Sequence, residues 1–531
     1  MPARLREGFG RFLRRRETVP LLVAAVTALV FWAAVRNGFI DVDDSEFLNH
    51  PFRGLGFSSI RGIFTSVYFS HYVPLTFLSL SVDFALWGMN PFGYHLTNLL
   101  LHAANAAVFY LLCLEFLSLG GATDDDRPAA AAAALFFSLH PLRVQSVAWV
   151  TERKDVLCGF FFLLTLLFWM RSFRRGRLQG ARGRAAALGS FFLALLAKPA
   201  VVPLPLVLIL LDVWPLRRLP ASPRRWGAAP FLWKEKLPFL FLAAVFAAAT
   251  AAAQSKGGSI VSVAHAVPLQ RANQIGLNLV FYLGKLLWPA NLSFYEWHWP
   301  PICSAVLIGT AATAALLGVA AWSRRLRAPL LCAFAYQSLM LAPILGFVTI
   351  GHELVADRYS YLSGLAWAVL FGAGLRTLAR RHRAVSMIFA CVLLTAFAAA
   401  TRAQIAVWKD SVSLWKQAVR VDPASLAARP SLADALVANG RVGEAILNLE
   451  EHMLLNPQDD EIRRSLADLI AKTGTTERDH AGFHEQLGRE FAAQGDFDKA
   501  AWHFERGLRY DPGSESLRAE LAQARLRSKP R

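Results

Sequence analysis

An uncharged run from Val19 to Val35 is long enough, at about 1.5 Å per residue, nearly to cross a bilayer, and ten comparable runs follow it before residue 402. They lie at Leu96 to Leu117, Ala129 to Val150, Val156 to Met170, Ala185 to Ala197, Val201 to Val213, Leu237 to Ala253, Val306 to Trp322, Leu330 to Ile350, Leu362 to Leu378 and Val385 to Ala400. This succession excludes a soluble globular fold and predicts a polytopic all-α membrane protein of about eleven spans. Hydrophobic residues make up 55% of the 531, and charged ones only 18%. The net charge of +18 does not point to nucleic acid, because much of the Lys and Arg sits in the short segments between apolar runs, where membrane topology accounts for it. The arginines before Glu17 place the N-terminus in the cytoplasm. Alternation then carries the Asn37 to Asn98 segment outside. The short Ile275 to Trp288 stretch, with Lys285 near its end, must be re-entrant or interfacial if Arg324 and Arg380 are both to be cytoplasmic. The five cysteines show neither a disulfide framework nor a C-x-x-C metal pattern.

The first outer segment carries Asp41, Asp43, Asp44 and Glu46 within six residues, where a membrane helix should emerge. A cluster there reads either as a site at the membrane surface or as a cap for the next helix. Phe57 to Phe69 and Pro74 to Trp87 read as helices lying on the outer surface. Beyond Arg402 the composition turns polar. Asp422-Pro423 and Asn456-Pro457 stand 34 residues apart (457 minus 423), which is the tetratricopeptide period. His484 to Pro512 is the best copy, with Leu487, Gly488, Phe491, Ala500 and Phe504 where paired helices must approach closely. The reading is a membrane domain over 1–402 and a C-terminal α-solenoid of such repeats over 403–531, on the outer side. The short array serves either to bind a partner or to cap the membrane domain.

Five segments in order make the chain resemble the bacterial relatives of the transmembrane-and-tetratricopeptide family of protein O-mannosyltransferases, which have the GT-C glycosyltransferase architecture. They are Asp43-Asp44, GMNPFGYHLTNLLLHAANA at Gly88 to Ala106, HPLRVQSVAWVTERKDVL at His140 to Leu157, YLGKLLWPANL at Tyr282 to Leu292, and ADRYSYL at Ala356 to Leu362. The resemblance implies a bacterial inner-membrane enzyme. It would move mannose or another hexose, with inversion, from a polyprenyl-phosphate donor to a Ser/Thr hydroxyl of a protein on the extracytoplasmic side. A lipid or surface-glycan acceptor and a non-catalytic scaffold with partner-binding repeats are the alternatives.

In that chemistry a carboxylate takes the proton of the attacking hydroxyl, and the resemblance places it at Asp44 or Asp43 without separating the two. The departing phosphate needs cations facing the same side. Arg358 is the first choice, followed by Arg153, Lys154 and Lys285. The competing roles are a turn held by Glu152 and Asp155 for Arg153 and Lys154, and a membrane-edge lysine for Lys285. Glu46, His71, His95, Glu353 and Asp357 are expected to line the site. A divalent metal is open, with Glu353, Asp357 and His352 as conceivable ligands, although a salt-bridged loop is the simpler reading of those three.

Overall fold

The computed structural model describes residues 18–119, 121, 123, 126–173, 177–220, 222, 226–227, 229–256, 268–294, 304–345, 355–423, 425–473 and 477–528. Among them every regular element is helical. The chain divides into two compact units, Met1–Leu414 and Trp415–Arg531. The polar turn in composition at Arg402 is not a structural boundary, because one helix runs unbroken over Arg383–Val407.

In the first unit, five stretches are long and apolar enough to cross a membrane: Thr18–Arg36, Pro91–Ser118, Val150–Ser172, Pro230–Ser255 and Arg383–Val407. Asp357–Ser363 and Leu365–Ala379 make a further pair, bent by 57°. Pro74–Trp87, Pro199–Val213, Ile275–Leu287 and Val306–Trp322 are shorter apolar helices. The protein is an integral membrane protein; among the described residues five helices, or six with the bent pair taken as one span, are long and apolar enough to cross a membrane. Some of the runs shorten or break for local reasons. Ala129 to Val150 does not form one span: its helix, Asp126–Ser138, stops before His140-Pro141. Proline supplies no N–H, and it pushes the residue before it out of helical geometry; His140 accordingly sits at ψ 132. From there to Glu152 the chain proceeds in one-turn helices, all buried. Nε2 of His140 meets the Leu286 carbonyl at 2.9 Å, so this stretch packs against the end of Pro268–Leu287.

Buried polar contacts hold these irregular pieces in place. The Asn105 side-chain amide donates to Tyr361 Oη at 2.8 Å, and His102 Nδ1 meets the same oxygen at 2.8 Å. Gly159 lets the Tyr361 ring lie against its helix, where a Cβ would come within 2.8 Å of the ring. In this way the 357–363 segment is anchored to two long helices. The acidic loop is anchored separately. Asn37 Nδ2 donates to the Trp408 carbonyl at 2.9 Å, the Gly38 N–H to the Lys409 carbonyl at 2.9 Å, and the Asp41 N–H to Ser411 Oγ at 2.8 Å. Trp408 stacks on Trp149 with centroids 5.8 Å apart.

The second unit is built of Ala428–Ala438, Val442–Leu455, Asp460–Thr473, Glu477–Ala493, Phe497–Tyr510 and Glu515–Ser528. Gly440 at φ 72 and Gly495 at φ 80 make the turns between successive helices, a backbone conformation open to glycine at little cost. Gly488 faces the Phe504 ring so closely that any side chain there would collide with it.

Candidate functional site

Glu152 stands at the centre of a buried charge cluster, with its side chain 1% exposed. Its Oε1 lies 3.4 Å from Lys154 Nζ and 3.3 Å from Arg358 Nε, and its Oε2 lies 3.1 Å from Lys198 Nζ. Lys198 also bonds Asp155 Oδ1 at 2.6 Å, and Ser146 Oγ donates to the other Asp155 oxygen at 3.0 Å. The Arg358 N–H donates to Gln145 Oε1 at 2.8 Å, and its guanidinium lies over the rings of Trp149 and Tyr359. Among the described residues Lys154, Lys198 and Arg358 thus converge on Glu152 and Asp155, in surroundings where charge is expensive unless it is paired or used. Burial works against the Lys198 ammonium, but Asp155 and Glu152 beside it raise its pKa and keep it charged.

Asp44 abuts this cluster through the neighbouring residue. Its Oδ1 accepts the Thr151 hydroxyl at 2.6 Å and the Thr151 N–H at 2.9 Å, and its Oδ2 accepts the Ile40 N–H at 2.8 Å. Three of about four lone-pair positions of the carboxylate are therefore taken by the fold. Burial outweighs these bonds, each of which lowers the pKa, and together with the nearby charge of Asp43 it pushes the Asp44 carboxyl up to about 6. Asp43 is half-buried and stands at the start of the Asp44–Leu48 helix, where its side chain makes no capping bond. The acidic cluster is thus not simply a helix cap: Asp44 turns inward to residue 151. Glu46 is exposed and accepts only from its neighbour Ser45, at 2.7 Å. His71 joins the cluster from another loop; burial, with the positive charges of Lys154 and Lys198, drives its pKa down to about 3, so it is neutral. Phe47, on the same short helix as Asp44, contacts the His71 ring at 5.7 Å and lies 4.7 Å below Lys154 Nζ.

Other expected site residues are used elsewhere. Arg153 points away from the cluster and pairs with Asp83 at 2.6 Å. It also donates to Ser79 Oγ at 2.8 Å, to the Tyr94 carbonyl at 2.8 Å and to Asn98 Oδ1. Expected as a phosphate-binding residue, Arg153 spends its guanidinium donors inside the fold in this structure. Lys285 donates to the carbonyls of Ala290 and Asn291 at 3.1 and 3.0 Å, tying down the loop after its own helix. His95 meets the Gly38 carbonyl at 3.2 Å and so braces the acidic loop at some remove from the cations. Asp357 is buried beside Arg358. Glu353 and His352 lie outside the described residues, and among the described residues no three His, Cys, Asp or Glu side chains are grouped to hold a metal. Lys198, Glu152 and Thr151 were not anticipated as site residues. The signal for Lys198 was present: a lysine flanked by Leu195 to Ala197 and Pro199 to Val201 has few reasons to sit among apolar residues other than a partner or a ligand.

No family model matches the chain. Among curated proteins, human protein O-mannosyl-transferase TMTC1 is 25% identical over 516 residues, covering 85% of this chain and 57% of its own length. The human protein TMTC4 of the same description is 32% identical over 177 residues, 30% of this chain and 24% of its own. The chain is similar in sequence to protein O-mannosyl-transferases. It spans about a quarter and somewhat over half of the length of these two relatives. Among solved structures, ArnT from Cupriavidus metallidurans bound to undecaprenyl phosphate aligns over 96% of this chain and 88% of its own, at 16% identity and a TM-score of 0.37.

Proposed function

We propose that the chain is a membrane glycosyltransferase of the GT-C type, moving mannose or another hexose from a polyprenyl-phosphate donor to a Ser or Thr hydroxyl of a protein on the extracytoplasmic side of a bacterial inner membrane. The observation that carries the reading is the convergence of three buried cations, Lys154, Lys198 and Arg358, on Glu152, set one residue from the buried carboxylate of Asp44. The similarity to protein O-mannosyl-transferases supports the sugar and the acceptor class.

In this reading the donor's phosphodiester, which carries one negative charge, is bound by these cations. When the bond from the anomeric carbon to the phosphate oxygen breaks, the leaving polyprenyl phosphate gains a further negative charge. Cations fixed beforehand in a water-poor site stabilise that change more than they stabilise the bound donor. The acceptor hydroxyl oxygen forms the new bond to the anomeric carbon, and its proton passes to Asp44, whose pKa of about 6 suits a base working near neutral pH. Asp43 contributes negative charge that keeps Asp44 basic. Glu152 holds the three cations in place and is a positioning residue. Residues 403–531, read as an extracytoplasmic solenoid of tetratricopeptide repeats, offer the acceptor polypeptide a surface.

Binding of a polyprenyl-phosphate hexose to the purified full chain tests the phosphate site. Lys198→Ala removes the cation paired with Glu152 and Asp155, and donor affinity should fall about tenfold or more. Unchanged affinity in a folded Lys198→Ala protein would remove the phosphate from this cluster.

A further inference from the structure

Two successive residues, Phe69 at φ 50 and Ser70 at φ 59, stand in the left-handed region. They form the tip of a two-residue turn closed on both sides, with the Tyr68 N–H donating to the His71 carbonyl at 3.1 Å and the His71 N–H to the Tyr68 carbonyl at 2.8 Å. Tight turns of this kind are normally made by Asn and Gly, and a bulky aromatic residue at positive φ is strained. Burial does not compensate for the strain. Phe69 remains 49% exposed, its ring meeting the apolar cluster of Phe47, Val73, Phe77 and Tyr94 at the edge of Phe47, whereas its neighbour Tyr68 packs against that cluster as a partly buried member. What the conformation does achieve is placement. The Phe69 ring meets Phe47 edge-on at 6.0 Å and His71 at 6.4 Å, and Phe47 in turn lies 4.7 Å from Lys154 Nζ.

We infer that Phe69 is a stacking platform for the hexose of the donor, held at positive φ so that its half-exposed face borders the phosphate cluster. The inference rests on the phosphate reading above and names the residue that recognises the sugar. A hexose joined directly to a phosphate held by Lys154, Lys198 and Arg358 must lie within about one sugar ring of them, and the aromatic turn stands one ring away from Lys154, through Phe47. A pyranose presents polarised C–H groups on one face, which complement the negative face of an aromatic ring. Strain kept at a residue that remains half exposed points to a role in what it contacts.

The test compares two lipids on the full chain: polyprenyl phosphate, and the same lipid carrying its hexose. Phe69→Asn and Phe69→Gly both suit positive φ, so the melting temperature in detergent should hold or rise. Affinity for the hexose-bearing lipid should fall about five- to tenfold while that for the bare lipid stays unchanged. Phe69→Trp keeps an aromatic face and should retain the preference for the hexose-bearing lipid. Equal loss for both lipids, no loss for either, or an effect confined to the KM of the acceptor would each overturn the inference. Lys198→Ala serves as the control for the phosphate reading. If it weakens both lipids and the Phe69 variants do not discriminate, the platform alone is wrong; if it weakens neither, the phosphate site fails and the platform with it.

Discussion

Thr151→Val is the substitution that interrogates Asp44 most cleanly. Asp44→Asn is less clean than it looks on paper, because both carboxylate oxygens accept from N–H donors, Ile40 on one side and Thr151 on the other. An asparagine can satisfy one of these and must turn its own NH2 toward the other. Thr151→Val instead keeps the side-chain volume and the backbone N–H and deletes only the hydroxyl that donates to Oδ1 at 2.6 Å. A hydrogen bond to a charged group contributes about 1.5–3 kcal/mol, and about 1.4 kcal/mol corresponds to one pH unit. That bond lowers the pKa of Asp44, so its loss must raise it from about 6. The acid limb of the pH dependence of kcat/KM for sugar transfer should therefore move upward by about one to two pH units. Rates well above the limb should change far less. The assay is transfer of labelled hexose from polyprenyl phosphate to a Ser/Thr peptide between about pH 4 and 9, which spans the Asp44 transition. An unmoved acid limb in a folded Thr151→Val protein would refute the assignment of Asp44 as the base.

Arg153→Ala strands the buried Asp83 and should destabilise the protein by about 3–5 kcal/mol, whereas its effect on donor affinity in the remaining folded protein should be small; thermal melting and donor binding read the two separately. The second unit should weaken in acid through His503. Burial, together with His484 at 3.2 Å, lowers the His503 pKa from 6.5 to about 4, so its contribution is complete above pH 6.5 and is lost as pH falls through about 4. Hydrogen exchange in Glu477–Ala493 and Phe497–Tyr510 should accordingly quicken over that window, and His503→Gln should flatten the dependence. Single cysteines at the exposed positions Ser45 and Ser222, in a background lacking the native five, test sidedness: an impermeant reagent added outside should label Ser45→Cys and spare Ser222→Cys.

Much of the helical pattern was legible because apolar run length and proline placement are local properties. The Pro74 to Trp87 reading matches the helix residue for residue, with Pro74 at its first position. The break at His140-Pro141 was legible in principle, but apolar residues on both sides made the run look continuous. For the charged turn at Thr151 to Asp155, sequence spacing grouped Arg153 with Lys154. The structure sends them in opposite directions, because successive residues on a helix face different sides and Asp83 waits on only one of them. Lys198 escaped notice for the opposite reason. Its partners Glu152 and Asp155 lie more than forty positions away in the chain, and only the packing of two helices brings them together.

The most direct measurement is single-turnover transfer of labelled hexose from its polyprenyl phosphate to a Ser/Thr peptide by the purified full chain and by Asp44→Asn, with folding checked by melting and donor binding measured alongside. The wild-type protein should transfer the sugar. The variant, still binding donor, should transfer it about 100-fold more slowly or worse. A folded Asp44→Asn protein that transfers sugar at a near-normal rate would contradict the account.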